Sequence, residues 1–303
     1  MTGLKWSRRT TDKIANLLGI YGFAVSSNTV ARLLHEMDYS LRVNQKKLAT
    51  DSSPDRNLQF DYIADLRERF RHRRLPIISV DTKKRELVGN FKNSGTRWDR
   101  QPWPVHDHDF RSDSIGVAIP YGIYQPLTNR GSVIVGVSHD TSAFAAHAIA
   151  HWWQREGLRQ YAYSRQLLIL ADTGGSNSYR RRAWKTELQS QLADCFHLTV
   201  TVAHYPTGAS KWNPIEHRLF SEISKNWAGE PLDSYQKILN FIRTTSTKTG
   251  LAVSAYLDRR HYPTGTEPTP PTTPSTETRT PPDITQVELH DQTQSVNLIL
   301  RRP

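Results

Sequence analysis

The sequence predicts an α/β fold, a mixed sheet flanked by helices, preceded by a small all-α module with helix-turn-helix spacing. Three observations carry that expectation. From about residue 76 to residue 227, apolar runs of strand length alternate with longer runs of helical period, an order that buries a sheet under helices. The first fifty residues read as two short helices around a turn. A chain of 303 residues with a hydrophobic fraction of 37% supplies one sizeable core and a smaller module. The expected divisions are 1–50 for the helical module, 51–75 for a helical connector, 76–262 for the α/β domain and 263–303 for a tail.

In the first module, Thr10 and Thr11 can cap a helix carrying Ile14, Leu17 and Leu18. The stretch "GIYGFAVSS" interrupts it, and Ser27 or Asn28 then caps a second helix with Val30, Leu33 and Leu34 on one face. With helix-turn-helix spacing the second helix enters a major groove, so Thr29 and Arg32 face base edges while Arg42, Lys46 and Lys47 meet phosphates. An ordinary helical hairpin fits the same pattern equally well. In the connector, "PDRNLQFDYIADLRERFRHRR" places Phe60, Ile63, Leu66 and Phe70 on one helical face, and the cations from Arg71 to Arg74 read as a solvated helix end.

The α/β region opens with "LPIISVD", an apolar strand that ends in Asp81. Glu86 to Arg130, with Gly89, Gly95 and prolines at its turns, suits an antiparallel hairpin region feeding the sheet. Then come the strand "RGSVIVGVSHD", the helix "SAFAAHAIAHWWQREG", the strand "RQLLILAD" ending in Asp172, the helix "SYRRRAWKTELQSQLADCF", the strand "LTVTVAHYP" and the helix "NPIEHRLFSEISKNW". Within the last, Asn213 can cap, Pro214 suits the first helical position, and Glu216 stands where its carboxylate reaches back to the cap N–H, a capping box. An aspartate after a strand is commonly only a turn residue. Two at strand ends, followed by a Glu on a downstream helix, point further: three carboxylates of this kind suit Mg2+ or Mn2+, and two such ions serve phosphoryl transfer.

Composition narrows the partners. The net charge of +11 and a pI near 9.8 favour a polyanion, with nucleic acid first. No apolar run is long enough to span a bilayer, and the N-terminal residues lack the apolar stretch of a secretion signal. The single cysteine, Cys195, excludes an intramolecular disulfide framework and suits a reducing cytoplasm. Lys83, Lys84, Lys92, Arg180, Arg181, Arg182 and Lys211 are candidate phosphate contacts, each equally readable as a solvated cation. Trp212 could stack on a flipped base, although a large aromatic before a helix more often packs in a core. "HDHDF", His106 to Phe110, could bind a transition metal but reads more simply as a polar turn.

The order strand-Asp81, strand-Asp172, helix-Glu216 resembles the ribonuclease H-like core of DDE transposases, and "YPTGASKWNPIEH" is similar to the signature of mariner-like and related insertion-sequence enzymes. More narrowly, "VDTKKRELVGNFKNSG", "AIPYGIY", "LILADTGGSNSYRRRAWKTELQ", "SKWNPIEHRLFSEISKNW" and "TKTGLAVSAYLD" resemble the ISAzo family of insertion-sequence transposases, from about Leu4 to Gly265. The resemblance implies a transposase that binds double-stranded DNA at element ends as a homodimer or larger assembly, in the cytoplasm with the nucleoid. It also implies Asp81, Asp172 and Glu216 as the catalytic, metal-holding triad.

Three features depart from that pattern. Asp172 and Glu216 are separated by 43 residues, more than in mariner-like relatives, so a helix and a strand must fit between them. Family members carry another helical segment before the stretch matching "LKWSRRTTDKIANLL", and "TEPTPPTTPSTETRTPPD" is a low-complexity segment expected to be disordered. These keep open a catalytically inactive, DNA-binding remnant or repressor. "ADTGG" also matches the Asp-Thr-Gly of aspartic proteases, but one copy followed by a basic helix fits that β-rich class poorly.

Overall fold

A computed structural model describes residues 9–41 and 56–265 and the backbone of 298–300. Met1–Thr50 and Asp51–Pro303 form separate compact units.

In the first unit, α1 (Thr11–Ile20) starts at Thr10, whose hydroxyl accepts the Lys13 N–H at 3.3 Å. The cap of α2 (Ser27–Glu36) is Ser26, one residue before the expected Ser27 or Asn28, because its hydroxyl reaches the Thr29 N–H at 3.1 Å. Of the described residues here only Val30 is buried; Leu33, expected on the packed face, is 40% exposed. Thr29 shares a hydroxyl contact with Ser26, and Arg32 is paired with Glu36 one turn on. Arg42, Lys46 and Lys47 lie outside the described residues.

The second unit begins with α3 (Arg56–His72), which buries Ile63, Leu66 and Phe70 as its period predicts. The strands are β1 (Ile77–Thr82), β2 (Glu86–Val88), β3 (Gly116–Gln125), β4 (Arg130–Gly136), β5 (Gln166–Ala171), β6 (Thr199–His204), β7 (Ala252–Asp258) and β8 (Leu298–Leu300). They form one mixed sheet in the order β7-β4-β3-β1-β5-β6-β8, with β2 paired to β3. β3 runs antiparallel to β1, β2 and β4, forming the expected hairpin region, while β1, β5 and β6 run parallel, as do β4 and β7. This is the α/β arrangement, a mixed sheet flanked by helices, that the sequence led us to expect. β8 pairs with β6 within the segment expected to be a low-complexity tail; most of that segment lies outside the described residues.

Alternation along β1 divides the layers. Ile78 and Val80 join Ile169 and Val202 under α4 (Ser142–Trp152) and α6 (Arg182–Leu188), packing against Phe144, Trp152, Trp184 and Leu188. α4 runs through a π-helical turn, Trp153–Gly157, into the short α5 (Leu158–Gln160), and α6 through another, Gln189–Asp194. The helix expected from Ser178 therefore starts only at Arg182. On the opposite face, Ile77, Leu168 and Leu170 meet α3. Beside them, Tyr124, Val133 and Val135 meet Ile215, Leu219 and Phe220, a core completed by α7 (Ser221–Asn226) and α8 (Tyr235–Thr244). Ser79, fully buried, sits on this second face. No helix among the described residues is long and apolar enough to cross a membrane.

Candidate active site

Register brings the two strand-end aspartates together. β1 and β5 are parallel with Val80 opposite Ala171, so the next residue on β1 and the residue just past β5 are Asp81 and Asp172. By alternation both lie on the face of Ser79 and Leu170, the face that carries the Glu216 helix. That helix approaches closely because β3 presents Gly122 opposite Asp81. A Cβ on Gly122 would come 2.5 Å from the Phe220 ring and 2.8 Å from Ile215. Glu216 opens a π-helical turn, Glu216–Phe220, and its carboxyl stands near enough to Asp81 to raise that group's pKa.

The capping box expected around Glu216 does not form. The Asn213 N–H donates to the Ser210 carbonyl at 2.9 Å, leaving nothing for the Glu216 side chain to cap. Nor does the Asn213 side chain turn back to its helix. Fully buried, it donates through Nδ2 to Asp172 Oδ1 at 3.0 Å and to the Val80 carbonyl at 3.4 Å, while its Oδ1 accepts the Ser79 hydroxyl. Ser79 Oγ in turn accepts the Ile215 N–H at 3.3 Å. The cap is thus supplied from β1, across the chain fold, and Asn213 is spent on orienting Asp172.

The electrostatics follow from this convergence. Burial, then the neighbouring Asp172 and Glu216 carboxyls, push Asp81 up to about 8, against the pull of the Thr82 N–H that it accepts at 2.7 Å. Burial also raises Asp172, opposed by the Asn213 amide. A cavity of about 290 Å³ opens beside them, lined by Asp81, Thr82, Asp140 and Asp172, by Thr173 to Ser176, and by Pro206, Gly208, Ala209 and Ser210. Asp140 is a carboxylate that the sequence reading did not single out; it accepts the Thr82 hydroxyl at 3.2 Å. The signal was present, since "RGSVIVGVSHD" is a third apolar run ending in Asp.

Asp81 and Asp172, both raised by burial and by neighbouring carboxyls, form a donor set suited to a hard divalent cation. Among the described residues, however, no group of three or more His, Cys, Asp or Glu is drawn together closely enough to cage an ion as the side chains stand. His106 to Phe110 is exposed and forms no such group either.

The candidate DNA contacts separate into two sets. Lys83 is only 9% exposed, 3.2 Å from Glu86, with its ammonium 4.6 Å from the centre of the Trp227 ring, so it is a packed cation rather than a phosphate contact. Lys84, Lys92, Arg180, Arg181, Arg182 and Lys211 are exposed. Trp212 is 46% exposed, which departs from core packing; Lys211 lies 3.9 Å and Arg56 5.4 Å from its ring centre, and Phe60 packs on it at 5.5 Å.

Comparison with known proteins gives a family match: the model described as "Rhodopirellula transposase DDE domain" matches residues 1–280. Among solved structures, "Mos1 transposase paired-end complex with left transposon end" is similar at 17% identity over 77% of this chain and 65% of that one, with a TM-score of 0.45. "Crystal structure of a pre-cleavage Mos1 transpososome" follows at 15% identity, 77% and 66% coverage and a TM-score of 0.44. "Crystal structure of the Mos1 mariner paired end complex with Mn" has 17% identity, 77% and 65% coverage and a TM-score of 0.43. The chain spans just under two thirds of the length of these structures. No curated protein matches the sequence.

Proposed function

The chain belongs to the transposase DDE family, and from that premise we propose that it binds the ends of a mobile DNA element and catalyses phosphodiester hydrolysis and strand transfer there. Asp81, Asp172 and Glu216 hold one or two divalent cations, Mg2+ or Mn2+, in this reading. The observation that carries it is the register of β1 and β5, which sets Asp81 and Asp172 side by side while the Glu216 carboxyl meets Asp81.

The residues divide the work. Asn213 holds the Asp172 carboxylate in one orientation, and the Thr82 N–H does the same for Asp81. Sheet burial keeps bulk water from their inner sides. When bound, a divalent cation supplies Lewis acidity toward a phosphodiester oxygen. The exposed cations Lys84, Lys92, Arg180, Arg181, Arg182 and Lys211 contact DNA phosphates, and α2 presents Arg32, whose surface pairing with Glu36 is cheaply exchanged for a nucleic-acid contact. Two element ends are joined in concert by a homodimer or larger assembly, in association with the nucleoid.

The test is cutting of a labelled duplex taken from the DNA flanking this protein's own gene, with Mg2+, Mn2+ or chelator. The natural protein should cut only with metal. Asp172→Asn should lower the rate on the order of 10³-fold while DNA affinity is kept. Binding without cutting under every metal condition would instead identify a non-catalytic DNA-binding remnant, and equal cutting by the variant would remove Asp172 from the site.

A further inference from the structure

The cavity beside Asp172 has two chemically different walls. One carries the carboxyls of Asp81, Asp140 and Asp172; the other is the loop that follows Asp172, from Thr173 to Ser176. That loop holds donors without partners. Ser176 is 3% exposed and its buried hydroxyl makes no hydrogen bond. Among the described residues, neither the Thr173 nor the Gly174 peptide N–H donates to another group of the chain. Buried hydroxyls ordinarily find partners, and one left without any in a residue that lines the cavity is a donor for an acceptor the chain does not supply.

The loop is also held from behind. The Ser142 hydroxyl donates to the Ser176 carbonyl at 2.9 Å, Tyr121 donates to Asn177 Oδ1 at 2.9 Å, and His204 Nε2 meets the Asn177 carbonyl at 2.8 Å. Ser142, Tyr121, Asn177 and His204 are themselves buried. Three separate elements, α4, β3 and β6, therefore hold the loop, so its donors are pre-organised. At Gly174 and Gly175 a Cβ would meet nothing within 4 Å, which leaves the backbone open to close approach.

We propose that Thr173 to Ser176 is a phosphate-positioning cradle, in which the Ser176 hydroxyl and the neighbouring peptide N–H groups bind a non-bridging oxygen of the DNA phosphate to be cut. This rests on the transposase reading of the same site. The acid wall attracts cations and repels phosphate; the donor wall supplies neutral hydrogen bonds that fix the phosphate without competing for the cations. Ser176 is a positioning residue, since the reacting bond lies between the phosphate and its attacking and leaving oxygens. The exposed Arg180 to Arg182 cluster, a few residues further on, suits the neighbouring phosphates of the same strand.

The experiment compares the natural protein, Ser176→Ala and Gly174→Ala in single-turnover cutting of the flanking-DNA duplex, made with each sulfur diastereomer at the scissile phosphate. Ser176→Ala removes one oxygen, and Gly174 has extended backbone (φ −102°, ψ 178°) with room for a methyl, so both variants should melt like the natural protein. Ser176→Ala should cut about tenfold more slowly, at unchanged DNA affinity. One diastereomer should be cut poorly by the natural protein, and that selectivity should shrink in Ser176→Ala, which a merely structural hydroxyl would not cause. Gly174→Ala should slow cutting in the same direction. Unchanged rate and unchanged diastereomer preference in Ser176→Ala would overturn the cradle while leaving the transposase reading intact; no cutting by the natural protein with either metal would overturn both.

Discussion

The carboxylate end of the sheet and the N-terminal helical pair are built to opposite standards. Asp172 follows a strand in which Leu167 to Ala171 are fully buried, is gripped by a fully buried Asn213, and faces a helix admitted by a glycine in β3. In α1 and α2 the described residues bury only Val30, and what defines each helix is a single hydroxyl cap. Groups that must hold position to a fraction of an ångström sit where several elements agree on their place. Under the proposal that α2 meets DNA, the pair needs less internal restraint, since a nucleic-acid partner supplies contacts of its own.

The comparison breaks most sharply at Gly122. Gly122→Val puts carbons where Phe220 and Ile215 already stand, and the Glu216 helix must lift. We expect a loss of about 3 kcal/mol in denaturant unfolding of the second unit and cutting reduced further than that loss accounts for. A variant of natural stability and rate would mean that the helix does not depend on close approach. Asn213→Ala tests the next layer. It removes a hydrogen bond to a buried carboxylate, and about 2 kcal/mol should be lost, with a fall in cutting at unchanged DNA affinity. Asn213→Asp would set a second acid against Asp172 and is expected to be worse; the order of the two variants, measured by melting, checks whether the amide's donor is what matters. The smallest effect belongs to the helical pair. Ser26→Ala should weaken α2 by about 1 kcal/mol, visible as faster amide exchange there, while melting of the second unit stays put. A shift of the second unit's transition would show that the two regions are not separately stabilised.

Much of this organisation was legible in the sequence because it rests on local rules. Asp81 and Asp172 could be placed at strand ends since "LPIISVD" and "RQLLILAD" are short, apolar and bounded by turns, and α3 declared its buried stripe at Ile63, Leu66 and Phe70. Other parts needed partners far along the chain. α8 and β7 were not read as elements. Of the two, α8 carries a helical set, Ile238, Leu239 and Ile242, that could have been recognised, whereas β7 is an edge strand whose burial comes from β4 and α8. Lys83 looked like a surface cation from its neighbours Lys84 and Arg85, yet it is buried against Trp227, well over a hundred residues away.

By itself, then, the sequence determined the period of each strand and helix, the excess of positive charge, and which carboxylates stand at the ends of buried strands, because these depend on a few neighbouring residues and on the alternation of the backbone. Only the tertiary structure decided that Asp81 and Asp172 share a register, that Asp140 joins their cavity, and that Asn213 serves Asp172 rather than its own helix. Asn213 shows the physical reason. A local cap is worth about 1 kcal/mol, whereas a hydrogen bond to a buried carboxylate is worth about 1.5–3 kcal/mol, and Ser79 supplies the missing cap from β1. Once the sheet forms, the stronger bond takes the side chain.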